Sequence, residues 1–348
     1  MGYRARGFES HLRDRFDIHI GYREGNKILA LLRFWKFLRR HRPDVTYVFD
    51  ISYSAVMGSW LHRLFMRNVL IVETGDAIYE LMRSNGNRGR LGLWLTRWLE
   101  NFSLRMANHL VVRGTYHQRW LKQQGLKSDV IQDGVEAEAF APHRAEYLRR
   151  KHGLNGELTV GMVGSSVWSE KLGMCYGWDL VETMRLVAQQ PVRGIMIGDG
   201  SGIAHLKTLC REYGIQEKVL FLGRIPSETL PQYLSMIDVC LSTQTNDLVG
   251  RVRTTGKLPL YLANGRYVLA SDVGEASLVL PKEMLVHYEG IKDEEYPARL
   301  KEKIETLLAR PEILAGAANN IDVAKHNFDY ALLAVRMREI IEGAVTQA

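Results

Sequence analysis

The chain has 348 residues, of which 46% are hydrophobic and 24% are charged. This composition is that of a globular protein and excludes a disordered, collagen-like or disulfide-scaffold chain. At about 150 residues per domain, we expect two domains of ordinary size. The three cysteines, at positions 175, 210 and 240, match no zinc or redox spacing, so we expect reduced thiols.

The formal net charge of +7 is unevenly distributed. Residues 1–143 hold 22 Lys and Arg against 14 Asp and Glu, together with five of the seven tryptophans. Basic charge with interleaved aromatic side chains suits nucleic acid or an anionic membrane surface. Two amphipathic stretches, Lys27–Arg42 and Leu91–Met106, concentrate this pattern. The alternative is that their apolar stripes simply pack on a sheet.

The sequence gives no sign of membrane insertion or export. No stretch reaches the ~18–20 uncharged apolar residues of a spanning helix, and Ile51–His62 is the longest candidate. The N-terminus is too charged for a signal peptide, and Arg6 stands where a myristoylation signal has Ser or Thr. We expect a cytoplasmic protein, with peripheral contact at the inner face of the cell membrane.

Short β-rich runs alternate with helical patterns along the whole chain, which predicts parallel sheets with crossover helices. In the first part, strands are predicted at Phe16–Tyr22, Val45–Phe49, Val69–Glu73, His109–Val112 and Asp129–Ile131. In the second part they are predicted at Leu158–Val163, Gly194–Ile197, Val219–Leu222, Val239–Ser242, Tyr267–Ala270 and Met284–His287. Residues 2–15 are helical in pattern, although a doubly wound domain opens with a buried strand. This indicates a truncated or unusual start.

Composition also predicts the domain boundaries. A polar, basic linker near 135–157 separates a first domain, 1–143, from a second domain, 144–326. Residues 327–348 form a third segment, in which the apolar spacing predicts a helix docked near the first domain.

Several glycine-containing motifs follow the predicted strands of the second part. The strand 158–163 is followed by Gly164, Ser165 and Lys171, and the strand 219–222 by Gly223. The strand 194–197 leads into a glycine turn, but Ile203 occupies the third glycine position of the dinucleotide pattern, which argues against an NAD site.

The longest motif runs from residue 246 to residue 271. Lys257, Tyr261, Ala263, Gly265 and Val268 fall in step with a Lys-x-x-Glu-Tyr-x-Ala-x-Gly pattern, after a loop that contains Gly250. A glycine-containing loop before a helix start offers unpaired amides to a diphosphate, and the helix dipole favours negative charge there.

These motifs, in this order and spacing, resemble glycosyltransferase family four. The resemblance implies an α/β chain of the GT-B fold, with two Rossmann-like doubly wound domains facing a central cleft. We predict catalytic roles for Asp76, Lys171 and Arg253, and donor-binding roles for Gly164, Ser165, Gly223, Asp247, Gly250, Arg251, Lys257 and Tyr261. Among them, Lys171, Lys257 and Tyr261 match residues of the family pattern. The resemblance implies no metal site and no cofactor, the NDP-sugar being a co-substrate.

The chain departs from the family pattern at three positions. Val252 and Leu260 occupy the places of the two family glutamates, and Ser165 replaces an arginine. Losing a charged hydrogen bond to ribose costs roughly 1.5–3 kcal/mol, about ten- to a hundred-fold in affinity. Asp247, Arg251 and Arg253 are polar groups on the same loop that could substitute.

Asp76 follows the strand 69–73, where open α/β sheets bind ligands. The family often has a histidine near this point. The alternative is that Asp76 caps a helix around Ile78–Met82.

The resemblance implies retaining, metal-independent transfer of a hexosyl group from an NDP-sugar to a surface-polysaccharide or lipid-linked glycan acceptor. Two alternatives stay open: a catalytically inactive glycosyltransferase-like partner protein, and a GT-B nucleotide-sugar epimerase. Nucleic acid is not an expected partner, whereas an anionic membrane is.

Overall fold

The computed structural model describes residues 2–23, 25–86, 88–154 and 156–346. The chain divides into two compact units. The first comprises Met1–Gly134, Leu248–Thr254 and Tyr330–Ala348, and the second comprises Val135–Asp247 and Thr255–Asp329.

Both units are α/β structures. Within the described ranges the strands are β1 Val45–Val48, β2 Val69–Thr74, β3 His109–Val112, β4 Asp129–Val130, β5 Leu158–Val163, β6 Val192–Ile197, β7 Val219–Gly223, β8 Val239–Ser242, β9 Tyr267–Ser271 and β10 Leu285–Val286. The helices are α1 Tyr3–Leu12, α2 Lys27–His41, α3 Tyr53–Arg63, α4 Ile78–Asn85, α5 Arg90–Met106, α6 Thr115–Gln123, α7 Glu146–Lys151, α8 Trp178–Leu186, α9 Ile203–Glu212, α10 Leu230–Leu234, α11 Leu248–Val252, α12 Lys257–Ala263, α13 Ala276–Val279, α14 Tyr296–Ala309, α15 Asn319–Phe328 and α16 Tyr330–Thr346.

The first unit is built on a four-stranded parallel sheet in the order β1-β2-β3-β4. Side chains alternate between its two faces along β2. Val69 and Ile71 pack in a core with Phe8 of α1 and Leu333 of α16. Leu70 and Val72 belong to the opposite core, which includes residues of α3, α5 and α6. The sheet is therefore covered by helices on both faces.

The predicted strand Phe16–Tyr22 is wrong. These residues form an irregular segment after α1, and they pair with no strand of the sheet. Phe16 and Ile18 are partly buried against the core that contains α1 and α16. Their alternating apolar pattern therefore arises from side-chain packing and not from backbone pairing.

The second unit contains a six-stranded parallel sheet in the order β10-β9-β8-β5-β6-β7. The chain builds one side of this sheet with β5, β6 and β7, and then returns past β5 to build the other side with β8, β9 and β10. The order of the strands therefore reverses between β5 and β8. Such a reversal is the topological switch point of a doubly wound sheet.

Two glycines of the 194–200 motif are required by close packing of two loops. A Cβ atom on Gly198 would lie 1.9 Å from the carbonyl oxygen of Gly164, and one on Gly200 would lie 2.1 Å from that of Ser166. No side chain fits at either position. The glycine turn therefore brings the loop after β6 against the loop after β5.

Two further features concern the whole described chain. The three cysteines are free and buried. No helix within the described residues has the length and apolar character that crossing a bilayer demands.

Candidate functional site

The carboxyl ends of β5 and β8 diverge at the switch point of the second sheet. The two strands pair through Val160 with Val239 and Gly161 with Cys240, and the ladder between them stops there. In open parallel sheets, ligands bind in the crevice at such a reversal. The residues that follow β5 and β8 are therefore the candidate site of this unit.

Tyr261 supports the end of β5. Its hydroxyl accepts a hydrogen bond of 2.7 Å from the backbone nitrogen of Val163, and its side chain is fully buried. Burial raises the pKa of Tyr261 well above its usual value, so the hydroxyl stays neutral. Tyr261 thus satisfies an amide that the diverging strands leave outside the ladder, and its contact with a ligand stays a prediction.

Lys257 reaches the same strand end. Its Nζ atom lies 3.4 Å from the centroid of the Tyr176 ring. A Cβ atom on Gly164 would lie 2.8 Å from Lys257 Cε and 2.9 Å from Tyr176 Cε1. The absence of a side chain at Gly164 is therefore what admits Lys257 and Tyr176 beside the end of β5.

A short hydrogen bond holds the loop that contains Tyr176. The Ser166 hydroxyl donates to the carbonyl oxygen of Tyr176 at 2.7 Å, and Ser166 is fully buried. Ser165, its neighbour, is exposed. The two serines therefore differ in role. Ser166 stabilises the loop from within, whereas Ser165 is accessible to solvent.

The other predicted donor-binding residues of the second unit lie on separate loops. Gly223 ends β7 with a φ of 68°, and its carbonyl oxygen accepts a hydrogen bond of 2.7 Å from the Gly198 nitrogen. Asp247 accepts a hydrogen bond of 2.8 Å from the Thr245 hydroxyl. Lys171 is exposed in a turn closed by the pairing of Ser169 with Met174. Gly164 and Lys257, by contrast, are brought together at the end of β5.

The segment that contains Arg251 and Arg253 belongs to the first unit. Arg253 Nε donates to Asp76 Oδ1 at 2.7 Å, and the two side chains are 42% and 38% exposed. Thr254 donates to Asp133 at 2.7 Å. Arg251 is exposed, whereas Gly250 is buried. Two residues predicted independently, Arg253 and Asp76, therefore form an ion pair.

Asp76 does not cap a helix. The N-cap of α4 is Ala77, and the first backbone amides of this helix are bound by Glu100. The Glu100 carboxylate accepts hydrogen bonds from the nitrogens of Ile78, at 2.7 Å, and Tyr79, at 2.9 Å. The capping alternative is therefore wrong, because Glu100 of α5 satisfies these amides in its place.

Sequence reasoning missed a buried ionic network at the end of β2. Glu73 is fully buried and accepts hydrogen bonds from Arg4 Nε at 2.9 Å, Arg113 Nε at 2.9 Å and the Tyr47 hydroxyl at 2.8 Å. Arg113 also forms an ion pair with Asp50. The available signal was an acidic residue inside a strand whose neighbours are all buried. Such a carboxylate needs cationic partners.

His117 lies near the same network. It is buried, and desolvation lowers its pKa to about 4 despite the opposing charge of Asp76. The positive charge of Arg113 contributes to this lowering. The imidazole is therefore neutral at neutral pH.

No group of three or more His, Cys, Asp or Glu side chains with the arrangement of a metal site occurs among residues 2–23, 25–86, 88–154 and 156–346.

Residues 178–321 match the family model described as glycosyl transferases group 1. The chain resembles these enzymes. The 2-deoxystreptamine glucosyltransferase of Streptomyces kanamyceticus is 29% identical over 132 residues, which are 35% of this chain and 32% of that protein. The match thus spans about a third of the length of this curated relative.

Solved structures are similar over most of the chain. HepE of Anabaena, in complex with UDP-glucose, has a TM-score of 0.74 at 18% identity, covering 96% of this chain and 88% of HepE. Sucrose-phosphate synthase of Thermosynechococcus elongatus has a TM-score of 0.73 at 16% identity, covering 91% and 78%. The predicted GT-B fold and the resemblance to glycosyltransferases are confirmed. The narrower assignment to family four stays a prediction.

Proposed function

We propose that the chain is a glycosyltransferase that takes its sugar from a nucleoside diphosphate donor. One observation carries the proposal: Lys257 lies at the switch point of the second sheet, inside the segment that matches the glycosyl transferases of group 1. A fixed cation at this edge suits the two phosphates of such a donor. The UDP-glucose complex of HepE supports a nucleotide sugar as the donor class.

The chemistry expected of this cation is electrostatic. Negative charge grows on the diphosphate as its bond to the sugar breaks, and a pre-oriented cation stabilises that charge by several kcal/mol. Gly164 and Tyr176 fix the position of Lys257 before the donor arrives. This arrangement therefore stabilises the transition state without reorganising at the moment of reaction.

The proposal extends to the stereochemistry of transfer, the metal requirement and the acceptor. We infer retention of anomeric configuration, no metal requirement, Lys171 as a further donor cation, and a surface-polysaccharide or lipid-linked glycan as the acceptor. The ion pair of Arg253 and Asp76 supports a catalytic role for the first unit, since both groups are accessible and charged. A cytoplasmic location follows from an activated sugar as donor.

A catalytically inactive partner protein is the second candidate. Val252 is buried, Leu260 is partly buried, and neither supplies the carboxylate that the family pattern has there. A chain that has lost its ribose-binding carboxylate could keep the fold and bind the nucleotide weakly. This alternative predicts binding without turnover.

The test is nucleoside diphosphate release from a panel of UDP-, GDP-, ADP- and dTDP-sugars, with oligosaccharide and polyprenyl-diphosphate-sugar acceptors. We expect acceptor-stimulated release from one donor class, lost in Lys257→Ala and retained in Lys325→Ala, an exposed lysine of the same unit. Nucleotide binding without release from any donor would favour the partner protein. Conversion of a donor into its epimer without an acceptor would identify an epimerase.

A further inference from the structure

The first half of helix α5 in the first unit exposes a stripe of apolar side chains. The buried residues of α5 are Thr96, Glu100, Ser103 and Leu104. In contrast, Leu91, Trp94, Leu95 and Trp98 are 78%, 61%, 46% and 47% exposed. The spacing of these four apolar residues places them on one side of the helix. A helix that only packs on a sheet buries its apolar side and exposes its polar side. An exposed apolar stripe therefore indicates a surface that binds a partner outside the unit.

The end of helix α3 continues the apolar stripe. Trp60, Leu64 and Phe65 are 37%, 58% and 71% exposed. The Phe102 ring connects the two helices, with its centroid 5.9 Å from that of Trp60 and 5.5 Å from that of Trp98. We call the surface formed by residues 60, 64, 65, 91, 94, 95 and 98 the α3–α5 face. The ring contacts of Phe102 thus join the exposed tryptophans of the two helices.

The surroundings of the α3–α5 face are strongly basic. Residues 51–67 and 88–106 contain six arginines, at positions 63, 67, 88, 90, 97 and 105. The same segments contain one acidic residue, Glu100, which is buried and binds the first backbone amides of α4. The solvent side of both segments therefore carries positive charge around an apolar centre.

A depression of about 370 Å³ lies between the carboxyl ends of α3 and α5. Its lining includes the apolar residues Trp60 and Leu64 and the basic residues Arg63 and Arg105. Arg63 donates a hydrogen bond of 2.8 Å to the carbonyl oxygen of Met106, another residue of the lining, which fixes the position of the guanidinium. The depression thus combines cationic donors with an apolar wall, as the junction of a lipid phosphate and its acyl chains requires.

We propose that the α3–α5 face docks onto an anionic lipid bilayer. Tryptophan and leucine side chains enter the interface between headgroups and acyl chains, while the arginines contact anionic headgroups. Each basic residue near an anionic leaflet adds to the attraction, and six arginines suffice for reversible attachment. Nucleic acid would leave the apolar stripe in water. The proposal does not depend on the proposed activity.

The experiment is flotation of the full chain with vesicles of phosphatidylcholine alone and of phosphatidylcholine with 30% phosphatidylglycerol. We expect attachment to the anionic vesicles, reduced at least ten-fold in the double variant Leu91→Ser with Trp94→Ser. Arg90→Glu with Arg97→Glu should remove the preference for anionic lipid. The matched control is Leu278→Ser, which replaces a 47% exposed leucine of the second unit.

Three results would overturn the proposal. The first is equal flotation of the Leu91/Trp94 variant and the Leu278 control, with circular dichroism showing that both are folded. The second is a dimer in sedimentation analysis that the Leu91/Trp94 variant abolishes, because the face would then bind a second copy. The third is DNA binding stronger than vesicle binding at the same salt. Nucleotide binding by the Leu91/Trp94 variant should equal that of the wild type, which separates this proposal from the proposed activity.

Discussion

The ammonium of Lys257 lies 3.4 Å from the centroid of the Tyr176 ring, directly beside the end of strand β5. The negative face of an aromatic ring attracts a cation and fixes its position. Tyr176 is itself held by the buried Ser166 hydroxyl. The position of the cation at the switch point therefore depends on a short chain of contacts, each of which can be altered separately.

The first prediction concerns the space beside Gly164 that Lys257 and Tyr176 occupy. In Gly164→Ala, the new methyl group meets Lys257 Cε and Tyr176 Cε1, so the lysine has to move. We expect at least a ten-fold loss of nucleoside diphosphate affinity, measured by calorimetry, with the fold retained. Gly316→Ala is the control, since a Cβ atom there meets nothing within 4 Å. Unchanged affinity in Gly164→Ala would show that the position of Lys257 is unimportant.

The second prediction concerns the ion pair of Arg253 and Asp76. Both groups are partly exposed, so breaking the pair should change the free energy of unfolding by at most about 1 kcal/mol. If the pair is catalytic, Arg253→Ala and Asp76→Asn should each lower kcat at least ten-fold. The matched control is Arg83→Ala, which breaks the ion pair of the exposed Arg83 with Glu80 in the same unit. Equal kcat in all three variants would assign Arg253 and Asp76 a surface role.

The third prediction concerns the network around Glu73. Glu73→Ala leaves the buried guanidinium groups of Arg4 and Arg113 without their shared carboxylate. We expect a loss of about 3–5 kcal/mol in the free energy of unfolding, measured by urea denaturation. Glu9→Ala removes a carboxylate paired with the exposed Arg13 and should cost less than about 1 kcal/mol. Similar costs for the two variants would contradict the role of Glu73 as a structural centre.

The fourth prediction is a pH dependence that originates at Asp179. Burial, together with the charges of Asp293 and Glu182, raises the pKa of this carboxyl to about 7. The unfolded value is 3.8. Between these values the folded state binds the additional proton, so the free energy of unfolding falls as the pH rises, by up to about 1.4 kcal/mol per pH unit.

Asp179→Asn removes this titration. We therefore expect the stability of the wild type relative to the variant to fall between pH 5 and pH 7 and to level off above that range. Asp322→Asn, at an exposed position of α15, should leave the wild-type profile unchanged. Parallel profiles for wild type and Asp179→Asn would show that Asp179 is ionised throughout the range.

The strands of the second unit were predictable because each is a short, continuous apolar run between glycine or polar residues. β5 and β8 were predicted with their observed bounds, Leu158–Val163 and Val239–Ser242. Residues 16–22 were wrongly predicted as a strand. Partly buried side chains outside a sheet can show the same alternation of apolar and polar residues as a strand does. Sheet pairing is a long-range property that a local pattern cannot establish.

The candidate site was predictable only in part. Glycine positions and Lys257 follow from the motif, because their spacing is local in sequence. The contacts of Glu73 with Arg4 and of Glu100 with the start of α4 join residues 69 and 22 positions apart. Residues 2–15 gave no reason to expect a buried arginine at position 4. Only the three-dimensional structure identifies Arg4, Glu73 and Glu100 as residues that stabilise the first unit.

The most direct test is calorimetric titration of UDP, GDP, ADP and dTDP into the wild type, Lys257→Ala and Lys325→Ala. The account predicts that one of these nucleotides binds the wild type at one site, at least ten-fold more tightly than it binds Lys257→Ala. Lys325→Ala should match the wild type. Equal affinity in all three proteins, or no binding of any nucleoside diphosphate to the wild type, would contradict it.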